Sequence, residues 1–355
     1  MINKCNQLKI RQILKGWYKE NKRSLPWRKT NDPYKIWVSE IISQQTRVAQ
    51  GLNYYLRFID RFPTVESLAK SSEQNVLTVW QGLGYYSRAR FLHSAAKMVL
   101  KEYEGVVPKT YEEILSLKGV GEYTAAAILS TAYNKPYATV DGNVYRVLSR
   151  IFAIETPIDT SVGKKQFAKI AHDLLDKADP GTHNQALMEF GALHCTPKQP
   201  LCNECPLSDI CVSKKLNVQN ELPIKQNKIK IRKRYFHYFY INVDGHIFLN
   251  KREEKDVWKN MYEFPLIETA ENISFDKLIG TPSFNKMFKN SDAVFCSFKN
   301  QVKHILTHQH IYANFYEVEL NNTPISLESA FLKIKIEDIN KYPISRLIHR
   351  YLEYK

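Results

Sequence analysis

Four of the six cysteines in this 355-residue chain crowd into one stretch: Cys195, Cys202, Cys205 and Cys211, spaced C-x6-C-x2-C-x5-C. A cluster so dense, in a chain otherwise poor in cysteine, reads as a set of metal ligands rather than a disulfide framework. Four soft thiolates suit either a structural zinc or an iron–sulfur cluster. Zinc ribbons pair two separated C-x2-C knuckles, and only one is present here. The uneven spacing therefore favours a [4Fe–4S] cluster, with zinc as the alternative. The sequence assigns no role to Cys5 or Cys296.

Composition narrows the partners. Hydrophobic residues make up 44% and charged residues 25%, the balance of a soluble globular protein, and the length predicts two domains or more. Lys and Arg number 51 against 36 Asp and Glu, a formal charge of +15 that favours a polyanionic partner, nucleic acid or an anionic membrane surface. No apolar run approaches the roughly 18 residues of a membrane-spanning helix. Residues 1–20 alternate Lys and Arg with apolar residues and lack a continuous apolar core, so no secretory signal is expected. A reducing cytoplasmic compartment agrees with thiolates kept for metal.

Residues 1–215 read as mainly helical. Apolar residues recur at three- and four-residue spacing over 34–58, 87–100, 111–117, 124–133 and 164–175. Turn signals separate them at Gly82-Leu83-Gly84, Gly119-Val120-Gly121, Asp141-Gly142-Asn143 and Asp179-Pro180-Gly181. A polar, basic stretch over 216–234, with Lys225, Lys230, Arg232, Lys233 and Arg234, reads as an interdomain linker able to touch phosphates. From Tyr235 the period changes. Residues 235–243 and 246–251 predict a hairpin across Asp244-Gly245, 310–320 predicts a further strand, and 344–354 a closing helix. Residues 235–355 thus form a small α+β domain.

Several motifs could carry chemistry. Gly119-Val120-Gly121 opens an Ala-rich helix, and its outward N–H groups suit one phosphate; an ordinary helix connection is the alternative. Twenty residues on, Asp141 is either the N-cap of the helix that follows or a working carboxylate. Glu40, on a helix, shares its face with Ile36, Trp37 and Gln44. Burial there would raise its pKa and make it a proton donor, whereas a solvated position would make it inert. Tyr85 and Tyr86, beside Arg88 and Arg90, are core packing or a wedge between bases.

Together these motifs resemble the endonuclease III superfamily of DNA glycosylases. Leu25-Pro26-Trp27-Arg28, Ser39-Glu40 through Gln44-Gln45-Thr46, Gly82-Leu83-Gly84-Tyr85-Tyr86 and Asp141-Gly142-Asn143-Val144 are similar to the MutY-type adenine glycosylases, almost continuously over 1–215. The endonuclease III type carries a Schiff-base lysine where this chain has Tyr123, so an efficient lyase step is not expected. Trp258 to Pro265 resembles the core of the family's MutT-like domain, but residues 266–286 lack the Glu-rich box of a Nudix hydrolase. The family's Phe-Ser-His lesion-reading loop falls at Leu306-Thr307-His308, with Leu in place of the aromatic. Ser43 is a second departure, standing where a leucine is common.

The resemblance implies a mainly α helix-hairpin-helix glycosylase domain with a [4Fe–4S] loop, followed by an α+β Nudix-like domain. It implies hydrolytic removal of adenine mispaired with 8-oxoguanine or guanine in double-stranded DNA, by a monomer. Glu40 would protonate the base, Asp141 would stabilise the oxocarbenium-like sugar, and Tyr123 and Asn143 would orient these groups and the water. Arg23, Leu25, Trp27 and Arg28 would line the base pocket. Gln45 and Tyr85 would fill or wedge the duplex, and Gly119 and Gly121 would meet phosphate. Leu306, Thr307 and His308 would read the lesion, and Cys195, Cys202, Cys205 and Cys211 would hold the cluster. A bifunctional glycosylase/lyase and a non-catalytic metal-containing DNA-binding protein are the rival readings.

Overall fold

The computed structural model describes residues 4–227, 230–289, 291–320 and 325–353. The chain divides into two compact units, Met1–Lys70 with Phe91–Asn227, and Ser71–Arg90 with Lys228–Lys355. Among the described residues, no helix is long and apolar enough to cross a membrane.

The first helices in chain order are α1 (Lys4–Asn21), α2 (Pro33–Ser43), α3 (Val48–Arg61), α4 (Val65–Lys70), α5 (Glu73–Trp80) and α6 (Ser87–Glu102). There follow α7 (Tyr111–Ser116), α8 (Glu122–Tyr133), α9 (Gly142–Phe152), α10 (Ser161–Leu174), α11 (Pro180–Leu193) and α12 (Val212–Leu216). Asp32 caps α2 by accepting from the N–H of Tyr34, and Pro33 at the first position completes the start signal. One predicted element is divided. The apolar spacing over 34–58 suggests a single helix, but the chain breaks at residues 44–47, where Gln45 takes a φ of +52°. Periodicity detects the buried face on both sides of such a break and misses the break itself. In the first unit Leu14 of α1, Val147 of α9, Phe167 of α10 and Phe190 of α11 meet in one core, each with 1% exposure or less.

The second unit is built on a seven-stranded sheet. Its strands are β1 (Arg232–Val243), β2 (His246–Lys251), β3 (Tyr262–Glu263), β4 (Leu266–Thr269), β5 (Val294–Ile305), β6 (Gln309–Glu319) and β7 (Leu332–Lys335). The order is β3-β2-β1-β6-β5, with β4 also on β1 and β7 on β2; β1 and β6 run parallel. Asp244 and Gly245 both have positive φ, +48° and +73°, as a two-residue hairpin turn between β1 and β2 requires. Helices α13 (Phe275–Ile279), α14 (Pro282–Met287), α15 (Ile325–Ala330) and α16 (Arg346–Glu353) complete the unit.

Residues 71–90, read as part of the helical domain, group by contact with the second unit, and their polar side chains bond within it. Gln74 Nε2 donates to the Lys341 carbonyl (2.9 Å), and Gln81 Oε1 accepts from Ile344 N–H (3.2 Å). The basic stretch 216–234, of which 228 and 229 lie outside the described residues, is tied down at both ends. Gln226 and Asn227 donate their N–H groups to Asp159 in the first unit, and Arg232 already belongs to β1. Arg234, in the stretch read as able to touch phosphates, is 5% exposed and ion-paired with Asp256 and Glu268. A strand start buries whatever its register points inward, and here the inward residue is a charge that needs partners.

Candidate active site

A cleft of about 820 Å³ in the first unit gathers residues from α2, α8, α9 and α11. Glu40, on α2, is 8% exposed and lies among the buried side chains of Ile36, Trp37 and Ile41. Tyr123, on α8, donates its hydroxyl to Glu40 Oε2 at 2.8 Å. Burial pushes the Glu40 pKa from 4.5 up to about 7, and the Asp141 charge adds to the rise, while the Tyr123 bond and Arg28 oppose it. A carboxyl in that range is a competent proton donor at neutral pH. Burial also lifts the Tyr123 phenol well above its ordinary value, so it remains a donor.

Asp141 is an N-cap that also reaches the cleft. It caps α9, accepting from the N–H of Asn143 (3.0 Å) and Val144 (2.8 Å), and it faces the same cleft as Glu40. Its Oδ2 accepts from Asn143 Nδ2 at 2.7 Å, and Asn143 Oδ1 is held in turn by Arg146 Nη2 at 2.8 Å. Burial pushes its pKa upward, with the Val144 and Asn143 bonds and the Arg146 charge working against the rise. With N–H donors on both oxygens, the ionised form is the one this geometry satisfies. Two carboxyls in one cleft are thus differently equipped, one sharing a phenol proton and one fixed as an acceptor.

Arg23, Leu25, Trp27, Arg28 and Gln45 line the same cleft, as does Ser43. Sequence reasoning missed what holds the two arginines. Glu189 on α11, 1% exposed, takes both Arg28 guanidinium nitrogens at 2.8 Å and Arg23 Nε at 2.8 Å. Burial alone would raise its pKa; the Arg28 and Arg23 bonds bring it down to about 2. Gln185, Met188, Glu189 and Ala192 all reach the cleft, one face of α11 at helical spacing. The available signal was a lone charge inside the apolar run Ala186 to Leu193.

The glycine hairpin joins α7 to α8, and its residues 119–121 do not line this cleft. At Gly119, φ is +81° and an added Cβ would lie 2.6 Å from Phe91 Cβ, so only glycine fits. Gly121 has open space around its Cα, and the fold places no such demand on it. Tyr85, Leu306, Thr307 and His308 lie in the second unit. Leu306, Thr307 and His308 are the tip between β5 and β6, and Tyr85, with φ of +49°, forms a 2.8 Å hydrogen bond between its hydroxyl and Thr307 Oγ1. The carboxylates at 256 and 263 in this unit are committed to arginines: Glu263 to Arg252 (2.7 Å), and Asp256 to both Arg252 and Arg234.

All four cysteines of the loop line one small cavity with Arg150 and His194. Arg150 Nη1 stands 3.4 Å from Cys195 Sγ, and the buried His194 Nε2 and Gln219 Oε1 have no hydrogen-bond partner. Four thiolates round one cavity, one of them already accepting from Arg150, are a donor set suited to an anionic group. No group of three or more His, Cys, Asp or Glu among the described residues is positioned to hold one metal ion. A single zinc draws four sulfurs to ~2.3 Å of one point, whereas a cluster gives each thiolate its own iron and leaves the sulfurs farther apart. The residues fit the cluster.

Residues 38–172 match the HhH-GPD superfamily of base excision DNA repair proteins, which defines the class of this fold and cleft. Residues 195–211 match the iron–sulfur binding domain of endonuclease III, and residues 237–354 the NUDIX domain. Within that class, the chain belongs to the adenine DNA glycosylase family. It is 34% identical over 320 residues to the adenine DNA glycosylase of Buchnera aphidicola subsp. Baizongia pistaciae, covering 88% of this chain and 87% of that protein. Its identity to the human adenine DNA glycosylase is 42%, over 60% of this chain and 41% of the human protein. A solved thermostable thymine-DNA glycosylase matches with a TM-score of 0.56 and 29% identity, over 60% of this chain and 98% of that one.

Proposed function

We propose that this DNA glycosylase hydrolyses the N-glycosidic bond of adenine lying opposite 8-oxoguanine or guanine in duplex DNA, with Glu40 as general acid and Asp141 as the charge that meets the sugar cation. Family membership supports adenine removal and base excision repair; the carboxyl pair carries the residue roles. Adenine is a poor leaving group as an anion, so it must be protonated as the bond breaks. Glu40, with a pKa of about 7, can deliver that proton to N7. The departing electron pair leaves an oxocarbenium-like sugar, which the Asp141 carboxylate stabilises or bonds transiently before water completes the exchange. Tyr123 and Asn143 keep the two carboxyls oriented. With no lysine at position 123, no Schiff base to the sugar forms there.

The base reaches this cleft only by leaving the stack, which asks for a pocket and a replacement. Arg23, Leu25, Trp27 and Arg28 make the pocket; Gln45 and Tyr85 occupy the duplex; the N–H groups around Gly119 and Gly121 take a phosphate. At the β5–β6 tip, Thr307 can donate or accept and so can sense the N7 proton that distinguishes 8-oxoguanine from guanine, with Leu306 and His308 beside it. The [4Fe–4S] cluster would be held by Cys195, Cys202, Cys205 and Cys211 and would stiffen their loop, which carries Lys198, against the DNA backbone. We take the working form to be a monomer in the reducing cytoplasm.

Glu40→Gln is the test. The amide keeps the shape but carries no acidic proton, so binding to an A:8-oxoguanine duplex should persist while excision falls by about 10²-fold or more. If the variant kept more than roughly a tenth of wild-type excision, the acid role of Glu40 would be lost.

A further inference from the structure

The catalytic cleft is not the only opening that reaches Glu40. A second cleft, about 760 Å³, opens in the same unit between α1, α8 and α11, with Lys19, Lys22, Ser24, Thr131 and Thr182 among its walls. Six residues line both openings: Arg23, Leu25, Trp27, Arg28, Glu40 and Gln185. We read these shared side chains as a partition between the two openings. Most of it is locked. Trp27 and Leu25 are buried, and Arg28 is pinned by Glu189 and by the Arg23 carbonyl. Gln185 is the loosest member, joined to Arg28 Nε by one long bond of 3.3 Å.

This matters once the glycosidic bond is broken. In the reading above, the freed adenine lies between the partition and an abasic duplex that fills the catalytic cleft, so its way in is closed. We propose that the free base leaves through the second cleft, past a displaced Gln185, before the DNA is released. Adenine is a neutral purine with hydrogen-bonding edges, and the hydroxyls of Ser24, Thr131 and Thr182 offer it partners along the route. The proposal rests on the base being flipped against Glu40, and it adds an order of product release.

A duplex labelled with tritium in the mispaired adenine tests it, with enzyme in excess and rapid gel filtration at intervals after excision. The label should leave the protein roughly tenfold or more faster than the abasic duplex. A Thr131→Trp/Thr182→Trp variant narrows the second cleft without touching the catalytic groups. It should excise at about the wild-type single-turnover rate, yet release label only as fast as DNA. Label and abasic duplex leaving wild-type protein together would overturn the route, and so would fast label release from the tryptophan variant. Should that double variant lose its visible iron–sulfur absorbance, Thr182→Trp alone is read in the same way. Label that never becomes free of the DNA strand would instead sink the glycosylase reading itself.

Discussion

Removing the Tyr123 hydroxyl perturbs the proposed acid without touching it. That hydroxyl donates to Glu40 Oε2 at 2.8 Å and is the largest influence opposing the burial-driven rise of the Glu40 pKa to about 7. Because a donor stabilises the ionised carboxylate, its loss must raise the pKa further. A hydrogen bond to a charged group is worth about 1.5–3 kcal/mol, and about 1.4 kcal/mol corresponds to one pH unit. Glu40 in Tyr123→Phe should therefore titrate about one to two pH units higher. Since a general acid works only while protonated, wild-type single-turnover excision should decline as pH rises through about 7. In the variant that alkaline limb should move up by the same one to two units, roughly. Its plateau should be lower, because the carboxyl has lost the bond that orients it. The assay is excision of adenine under single-turnover conditions from mildly acid to alkaline pH, with Glu40→Gln as the control that has no such limb. A limb that stays put, or moves toward acid, would refute the claim that Tyr123 donates to an ionised Glu40.

Asp141→Asn should lower excision by about 10²-fold or more. The asparagine oxygen can keep the helix cap, but its amide NH2 faces Asn143 Nδ2, so a modest loss of thermal stability, about 1–3 kcal/mol at most, should accompany it. Melting curves alongside the excision assay separate this from a folding defect, which Asp141→Ala should add. Cys202→Ser should reduce iron content, visible absorbance and DNA affinity together, while limited proteolysis still yields an intact C-terminal unit; unchanged iron content would remove Cys202 from the ligand set. Thr307→Ala forfeits the hydrogen bond to Tyr85 and, at about 0.5–1.5 kcal/mol, should cost several-fold in preference for A:8-oxoguanine over A:G. Equal losses on both substrates would reduce the tip to a structural or backbone contact.

What the sequence determined by itself is what adjacent residues decide among themselves. The four cysteines are close in the chain, so their common role was legible from spacing. Asp141 caps α9 through the N–H groups of residues two and three positions on, and Asp244-Gly245 turns a hairpin because Gly and Asp tolerate positive φ. The face that Glu40 shares with Ile36 and Trp37 is likewise a property of one helix. Whether that carboxyl is an acid was not legible, because its pKa depends on burial by other helices and on Tyr123, 83 residues away. Glu189 reaches Arg23 and Arg28 across more than 160 positions, and no local pattern links them. Residues 71–90 bond to a loop some 260 positions downstream, and Arg234 is buried by strand register. Backbone propensity and capping act over a few residues and can be read along the chain. Burial, ion pairing and the pKa values they set depend on which distant segments pack together, and only the tertiary structure decides that.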